Sequence, residues 1–395
     1  MWLDSVTLIT IGAINIYAVD VIFLLLILLS IRVVCSAKIK SVFKDGWLYG
    51  LFLLWIFIEI IVGYTKYGFR AFGEARLIFS FLSFFVPFYL LNSKQRLNPK
   101  YIMKVIHDTI LCCAVASACA YFLNMATGTV NDFVDSRGIR YIGTIHTFYL
   151  TILFCFYALK YNIVNVIKPR EVAVMLFALA IAIVSKNRSA LVCPIIVSTI
   201  VFVKHINVKK TVYSFVLIVL SLLMFWLIVP NNIYSEVQFT FARVLSPTTD
   251  PTGKWRLAIQ AVAFQQALEN FWIGQGFGGY FSFLVPGMNW DIPFEYAPHN
   301  QFLVIFLKAG IVGLLICVLT LLSFIYRGIK ANITVEKNTK TSVYITVVTV
   351  IITTQIIYGL TYDFISTFGL YYGFGILLFR AIRTSSTKTS LTSTL

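Results

Sequence analysis

Long apolar runs, separated by short basic or turn-rich stretches, alternate along the whole chain. A helix of about 20 apolar residues crosses a bilayer core, so runs of this length predict membrane spans. Eleven are predicted: Ile16–Val34, Trp47–Tyr64, Ala75–Leu91, Tyr101–Leu123, Tyr141–Tyr161, Val172–Ser185, Ser189–Val203, Val212–Val229, Gln301–Ile325, Ser342–Leu360 and Phe364–Ile382. The apolar segment Trp2–Asn15 is short; it reads as an interfacial helix, a re-entrant piece or part of a twelfth span. The predicted fold class is thus an all-α polytopic membrane protein with 11–12 transmembrane helices. Residues 1–229 form the N-terminal helices, 230–298 one long loop, 299–383 the C-terminal helices, and 384–395 a Ser/Thr-rich tail whose composition predicts disorder.

Composition agrees with the pattern. The 395 residues are 59% hydrophobic and 12% charged, with a mean hydropathy of +0.86; these values exclude an ordinary soluble domain. The net charge of +16 would fit nucleic acid if it were one patch. It is not: most basic residues sit in short segments, Arg32–Lys44, Lys94–Lys104, Lys160–Arg170, Lys204–Lys210, Arg327–Lys340 and Arg380–Lys388. The positive-inside rule makes that side cytoplasmic and sets the long loop on the opposite face. No basic stretch precedes the first apolar run, so a cleavable signal peptide is not expected. The seven cysteines lie in or beside apolar runs without CxxC spacing and read as small buried hydrophobes.

The loop carries most of the chemistry. Arg243 lies near its start, the turn-rich SPTTDPTGKW follows, and an amphipathic helix is predicted over Arg256–Asn270. Then come the glycine turn GQGFGGY and the aromatic NWDIPFEYAPHN. Trp255, Trp272, Trp290, Tyr280 and Tyr296 suit an interfacial belt, or stacking on sugar rings. Gly274, Gly276 and Gly279 formally spell G-x-G-x-x-G, but a helix rather than a strand precedes them. The dinucleotide reading therefore fails, and a flexible turn that brings backbone close to a neighbour replaces it.

At its end the loop re-enters a span through PHNQFLVIFLKAGIVGLL. On one continuous helix Gly310 falls within about 20° of His299 in projection and Gly313 within about 40°. That stripe would carry an imidazole at its mouth and two sites of close backbone approach below. A helix N-terminus favours a neutral imidazole and attracts anions, which makes His299 a candidate general base. Lys308 falls on the opposite face and is expected to pair with a buried carboxylate such as Glu59, or with lipid phosphate.

The stretch Glu171–Lys204 holds two short apolar runs joined by SKNRSA, which sinks Arg188 below the membrane surface. A sunken Arg is either functional or a snorkelling side chain; Lys186 is its weaker partner. Guanidinium forks suit phosphate oxygens, so Arg188 and Arg256 are candidate anion ligands, joined by Arg76 and Arg140 at the same level. Glu74, Asp132, Asp135 and Asp363 could neutralise some of them. His107, His146 and His205 are scattered and read as structural. No clustered His/Asp motif appears, so a catalytic metal is not expected.

Three features together resemble the O-antigen polymerase and O-antigen ligase family of bacterial envelope glycosyltransferases. They are Arg188 in SKNRSALV, the loop pattern KWRLAIQAVAF…GQGFGGY, and the pair His299-Asn300 followed by Gly310-Ile-Val-Gly313. The loop helix departs by ending in ENFWIG, where the family often has a proline before the turn. The resemblance implies a helical fold similar to other lipid-dependent glycosyltransferases. It implies transfer without a metal or cofactor at the periplasmic face of the inner membrane, from a glycan on undecaprenyl pyrophosphate. His299 would deprotonate the acceptor hydroxyl and Arg188 and Arg256 would hold the pyrophosphate. Partners implied are the lipid-linked donor and acceptor and a chain-length regulator protein. The aromatic-rich sequence leans toward a polymerase; a ligase, a flippase-type transporter and a membrane scaffold are the competing readings. A transporter would call for internal repeats and a midplane charge cluster, and neither is seen.

Overall fold

The computed structural model describes residues 7–11, 14–36, 39–91, 95–128, 132–134, 138–164, 166–185, 187–203, 251–279, 282–283, 294–295, 300–335, 339–360 and 367–392. Helices make up nearly all of it. In chain order they are α1 (Ala18–Val34), α2 (Ile39–Tyr67), α3 (Arg70–Ala75), α4 (Val86–Leu90), α5 (Pro99–Thr127), α6 (Thr144–Val164), α7 (Pro169–Val184), α8 (Arg188–Val203), α9 (Pro251–Glu269), α10 (Gln301–Thr334), α11 (Lys340–Gly359) and α12 (Phe368–Thr392). The predicted span Val212–Val229 lies outside the described residues. α12 runs through Thr392, into the stretch that composition marks as polar tail.

Five of the described helices are long and apolar enough to cross a membrane: Gly46–Tyr67, Pro99–Thr127, Thr144–Val164, Gln301–Thr334 and Lys340–Gly359. Their surfaces fit that reading. On α2, Leu51, Leu54, Phe57, Ile58 and Ile61 are exposed while Tyr49, Phe52, Leu53, Ile56 and Ile60 are buried. A helix apolar on every side has no face to offer water and belongs in lipid. The chain is a multi-pass membrane protein.

Two expected elements take another form. The segment before α1, read as an interfacial helix, a re-entrant piece or part of a twelfth span, holds an antiparallel hairpin, β1 (Thr7–Ile11) with β2 (Ile14–Tyr17). Its threonines and isoleucines are β-branched, which restricts side-chain rotamers in a helix and suits a pleated strand. The span predicted over Ala75–Leu91 is a 3-10 segment, Arg76–Phe85, followed by the short α4. Tertiary packing decides this: Tyr49 Oη donates to the Phe81 carbonyl at 3.0 Å. A Cβ at Gly373 would stand 2.6 Å from the Phe84 carbonyl, so α12 lies against this backbone. Two further small hairpins are β3 (Asp132–Val134) with β4 (Gly138–Arg140), and β5 (Ser282–Phe283) with β6 (Phe294–Glu295).

The chain forms two compact units. One comprises Met1–Ile102, Pro251–Ile329 and Gln355–Leu395; the other Met103–Asp250 and Lys330–Thr354. The first has an aromatic core in which Tyr49 stacks on Phe84 with centroids 4.4 Å apart and meets Tyr372 at 4.7 Å. Phe324 meets Tyr372 at 4.7 Å from the other side. The second is built around α6, buried along most of its length, with Phe154 and Cys155 packed against Leu179 of α7 and flanked by Leu191 and Ile195 of α8.

Candidate functional site

In the first unit, α9 and the glycine turn are seated on α10. Ile259, Ala263 and Ala267 recur every fourth residue and pack against Leu303, Phe306 and Leu307. Phe271, just past the end of α9, meets Phe306 edge-on with centroids 5.8 Å apart. Ile311 and Leu314, further along α10, pack against the same cluster. Arg256 is half-buried on α9. Asn300 Oδ1 accepts the Leu303 N–H at 3.1 Å, the bond expected of an N-cap residue. His299 lies outside the described residues.

α10 is not one continuous helix. Gly310 sits at φ 64°, ψ −173° and breaks it. The freed groups are taken by the loop: Ile311 N–H donates to the Phe271 carbonyl at 2.8 Å, Gln275 N–H to Leu307 O at 2.9 Å, and Gly276 N–H to Lys308 O at 3.0 Å. Trp55 Nε1 donates to the Ala309 carbonyl at 2.9 Å. The projection that aligned His299, Gly310 and Gly313 on one stripe therefore fails beyond Ala309. Gly310 serves as a backbone break closed by the turn, and a Cβ at Gly313 would meet Ala309 and the Trp55 ring.

The turn itself is pinned rather than flexible. Besides those bonds, Phe277 N–H reaches the Glu59 carbonyl at 3.4 Å, and a Cβ at Gly276 would stand 2.8 Å from the Gly63 nitrogen of α2. Lys308 does not pair with Glu59; its buried ammonium donates to the Gly279 carbonyl. Lys66 Nζ donates to the Gln275 carbonyl at 3.4 Å. Glu59 is 1% exposed, with Oε2 buried and lacking a hydrogen-bond partner. The N–H groups of Gln275, Gly276 and Phe277 are spent on helix carbonyls, so this turn is a wedge between α2 and α10 and not a phosphate cradle.

In the second unit, the turn before Arg188 is anchored by a residue that sequence reading passed over. Asn187, 5% exposed, donates from Nδ2 to the Ile142 carbonyl at 3.1 Å and to Thr147 Oγ1 at 3.0 Å. Thr147 and Ser185 share a 2.7 Å hydroxyl contact. The Asn187 carbonyl receives the Leu191 N–H at 3.1 Å, opening α8 with Arg188 as its first residue. Arg140 ends β4 two residues before Ile142, so the chain segments bearing Arg140 and Arg188 are stitched together by Asn187. Asparagine in a polar turn is a weak signal alone; its spacing to Thr144 and Thr147 becomes meaningful only in three dimensions. Arg76 opens the 3-10 segment of the first unit.

The structure thus groups Arg256, Asn300, Gly310 and Gly313 on one helix pair, and ties the segments that bear Arg140 and Arg188 together through Asn187. Residues 173–318 match the O-antigen ligase family. That segment contains Arg188, Arg256, His299, Asn300, Gly310 and Gly313, and leaves out Arg76 and Arg140. The family is the one that the sequence motifs resemble. Comparison with curated proteins finds no match.

Proposed function

We propose that the protein is an O-antigen polymerase: a membrane glycosyltransferase working from undecaprenyl pyrophosphate at the periplasmic face of the inner membrane. The carrying observation is that the match to the O-antigen ligase family spans the run from Arg188 to Gly313 without leaving out a motif residue. The packing of α9 on α10 supports it, because Arg256 is carried by a helix seated on the span that His299-Asn300 opens.

In this reading a hydroxyl of a lipid-linked repeat attacks the anomeric carbon of the donor glycan. A C–O bond forms there, the bond to the pyrophosphate oxygen breaks, and the hydroxyl proton passes to the His299 imidazole. Arg188 and Arg256 neutralise the charge growing on the leaving pyrophosphate, and Arg140 and Arg76 are further candidate pyrophosphate ligands. No metal or cofactor takes part, which accords with the lack of clustered His and Asp motifs in the sequence. A chain-length regulator is the expected protein partner.

Purified protein supplied only with the undecaprenyl-pyrophosphate-linked repeat should build longer lipid-linked chains. A strict requirement for lipid A-core as acceptor would make it a ligase. Movement of the intact lipid-linked repeat across vesicles, with no new glycosidic bond, would make it a flippase.

A further inference from the structure

α9 carries apolar residues on two faces, and only one of them is accounted for. Ile259, Ala263 and Ala267 are covered by α10. Leu257, Phe264 and Leu268 remain 64%, 49% and 48% exposed, Phe264 even though its ring meets Phe306 of α10 with centroids 6.1 Å apart. At positions i, i+7 and i+11 these three fall within about 40° of arc, a single stripe along the helix. The stripe continues past the helix end into Trp272 and Ile273, 70% and 52% exposed. Gln265 and Glu269 border it on one side, and no charged residue interrupts it. A soluble loop helix does not present such a row to water.

What covers the stripe follows from where α9 sits. Its seat runs from Leu303 to Leu314 of α10, one of the helices long and apolar enough to cross a membrane. An element packed against that stretch lies at the level of the bilayer, and its outward face meets what surrounds the span. α10 itself turns Leu315, Leu319 and Leu322 outward, 54%, 52% and 53% exposed. Trp272 at the end of the stripe has the amphipathic ring favoured at a membrane–water boundary.

We propose that the outer face of α9 is a lipid-docking surface: Leu257, Phe264 and Leu268 lie in the acyl-chain region of one leaflet, and the loop helix is a membrane-sunk element. The assignment does not depend on the reaction proposed above. A fluorescent coumarin amino acid placed at 264, 268 or 269 of the full-length protein, reconstituted in phospholipid nanodiscs, tests it. Doxyl-labelled phospholipid should quench positions 264 and 268 strongly and 269 weakly, with aqueous iodide giving the reverse order. A helix lying about 5–10 Å into the headgroup–acyl boundary should be quenched about twofold more by a 5-doxyl than by a 12-doxyl lipid. Iodide quenching at 264 and 268 as deep as at 269, with no loss to doxyl lipid, would overturn the proposal. A photoreactive benzophenone amino acid at 264 gives a second reading: cross-linking to phospholipid supports it, and cross-linking to a second copy or another polypeptide overturns it.

Discussion

A single amide organises the turn at Asn187: it ties α6 to the start of α8 and sets the backbone from which Arg188 departs. Asn187→Ala leaves the Ile142 carbonyl and the Thr147 hydroxyl without that donor in a buried setting, at a cost of about 1–3 kcal/mol. The expected outcome is a lower melting temperature in detergent together with slower transfer. Arg188→Lys keeps the charge and loses the fork, so transfer should fall about tenfold or more while the melting temperature stays put; wild-type turnover would favour a snorkelling Arg. His299→Ala should remove about a hundred- to ten-thousand-fold of activity, the range of a general base, with normal membrane abundance. Glu171 illustrates electrostatics at the helix ends. Burial raises its carboxyl, but hydrogen bonds from Lys160 and the Lys168 N–H, with both ammonium charges, outweigh this and hold it below the usual range. Its contacts to Lys160 Nζ are both 2.7 Å. A depressed folded-state pKa contributes stability that is present above the ordinary carboxylate value and lost as pH falls through the lower folded value. Acid melts should show this loss, and Glu171→Gln, already lacking the pair at neutral pH, should flatten it.

At the level of elements, the structure turns on the wedge that the glycine turn drives between α2 and α10. Gly310 has a left-handed φ, and a Cβ there would overlap the Trp272 carbonyl. Gly310→Ala should destabilise the protein by about 1–3 kcal/mol through backbone strain alone, with further loss from the displaced turn. Thermal melts would measure the first, and the loss of activity should exceed what unfolding explains, because Arg256 is carried by the displaced helix. The glycines were visible in the sequence as a motif, but their purpose was not. G-x-x-G read on an ideal helix predicts a smooth face for a neighbouring helix. The pinned turn takes those positions instead, since the backbone groups freed at Gly310 must be satisfied inside the membrane. The 3-10 form of Arg76–Phe85 was invisible for a similar reason: it is set by the close approach of α12, and local propensity does not record it.

For the whole molecule, the alternation of apolar runs and basic segments was enough to establish a many-helix membrane protein. Lipid demands internally bonded backbone and apolar surface over each crossing, and both requirements are written into composition and run length. Ten of the eleven predicted runs fall on described elements, nine of them α-helical. For the candidate site the sequence offered residue types at motif spacing, because the proposed phosphate binding and proton transfer call for Arg and His whatever the fold. What tertiary structure alone decided was how those residues are held: Asn187 as the anchor of the Arg188 turn, the break at Gly310, the Lys308 bond to the Gly279 carbonyl and the second apolar face of α9. Each depends on groups far apart in the chain meeting across an interface, and neither periodicity nor composition carries information about which distant carbonyl a given N–H will find.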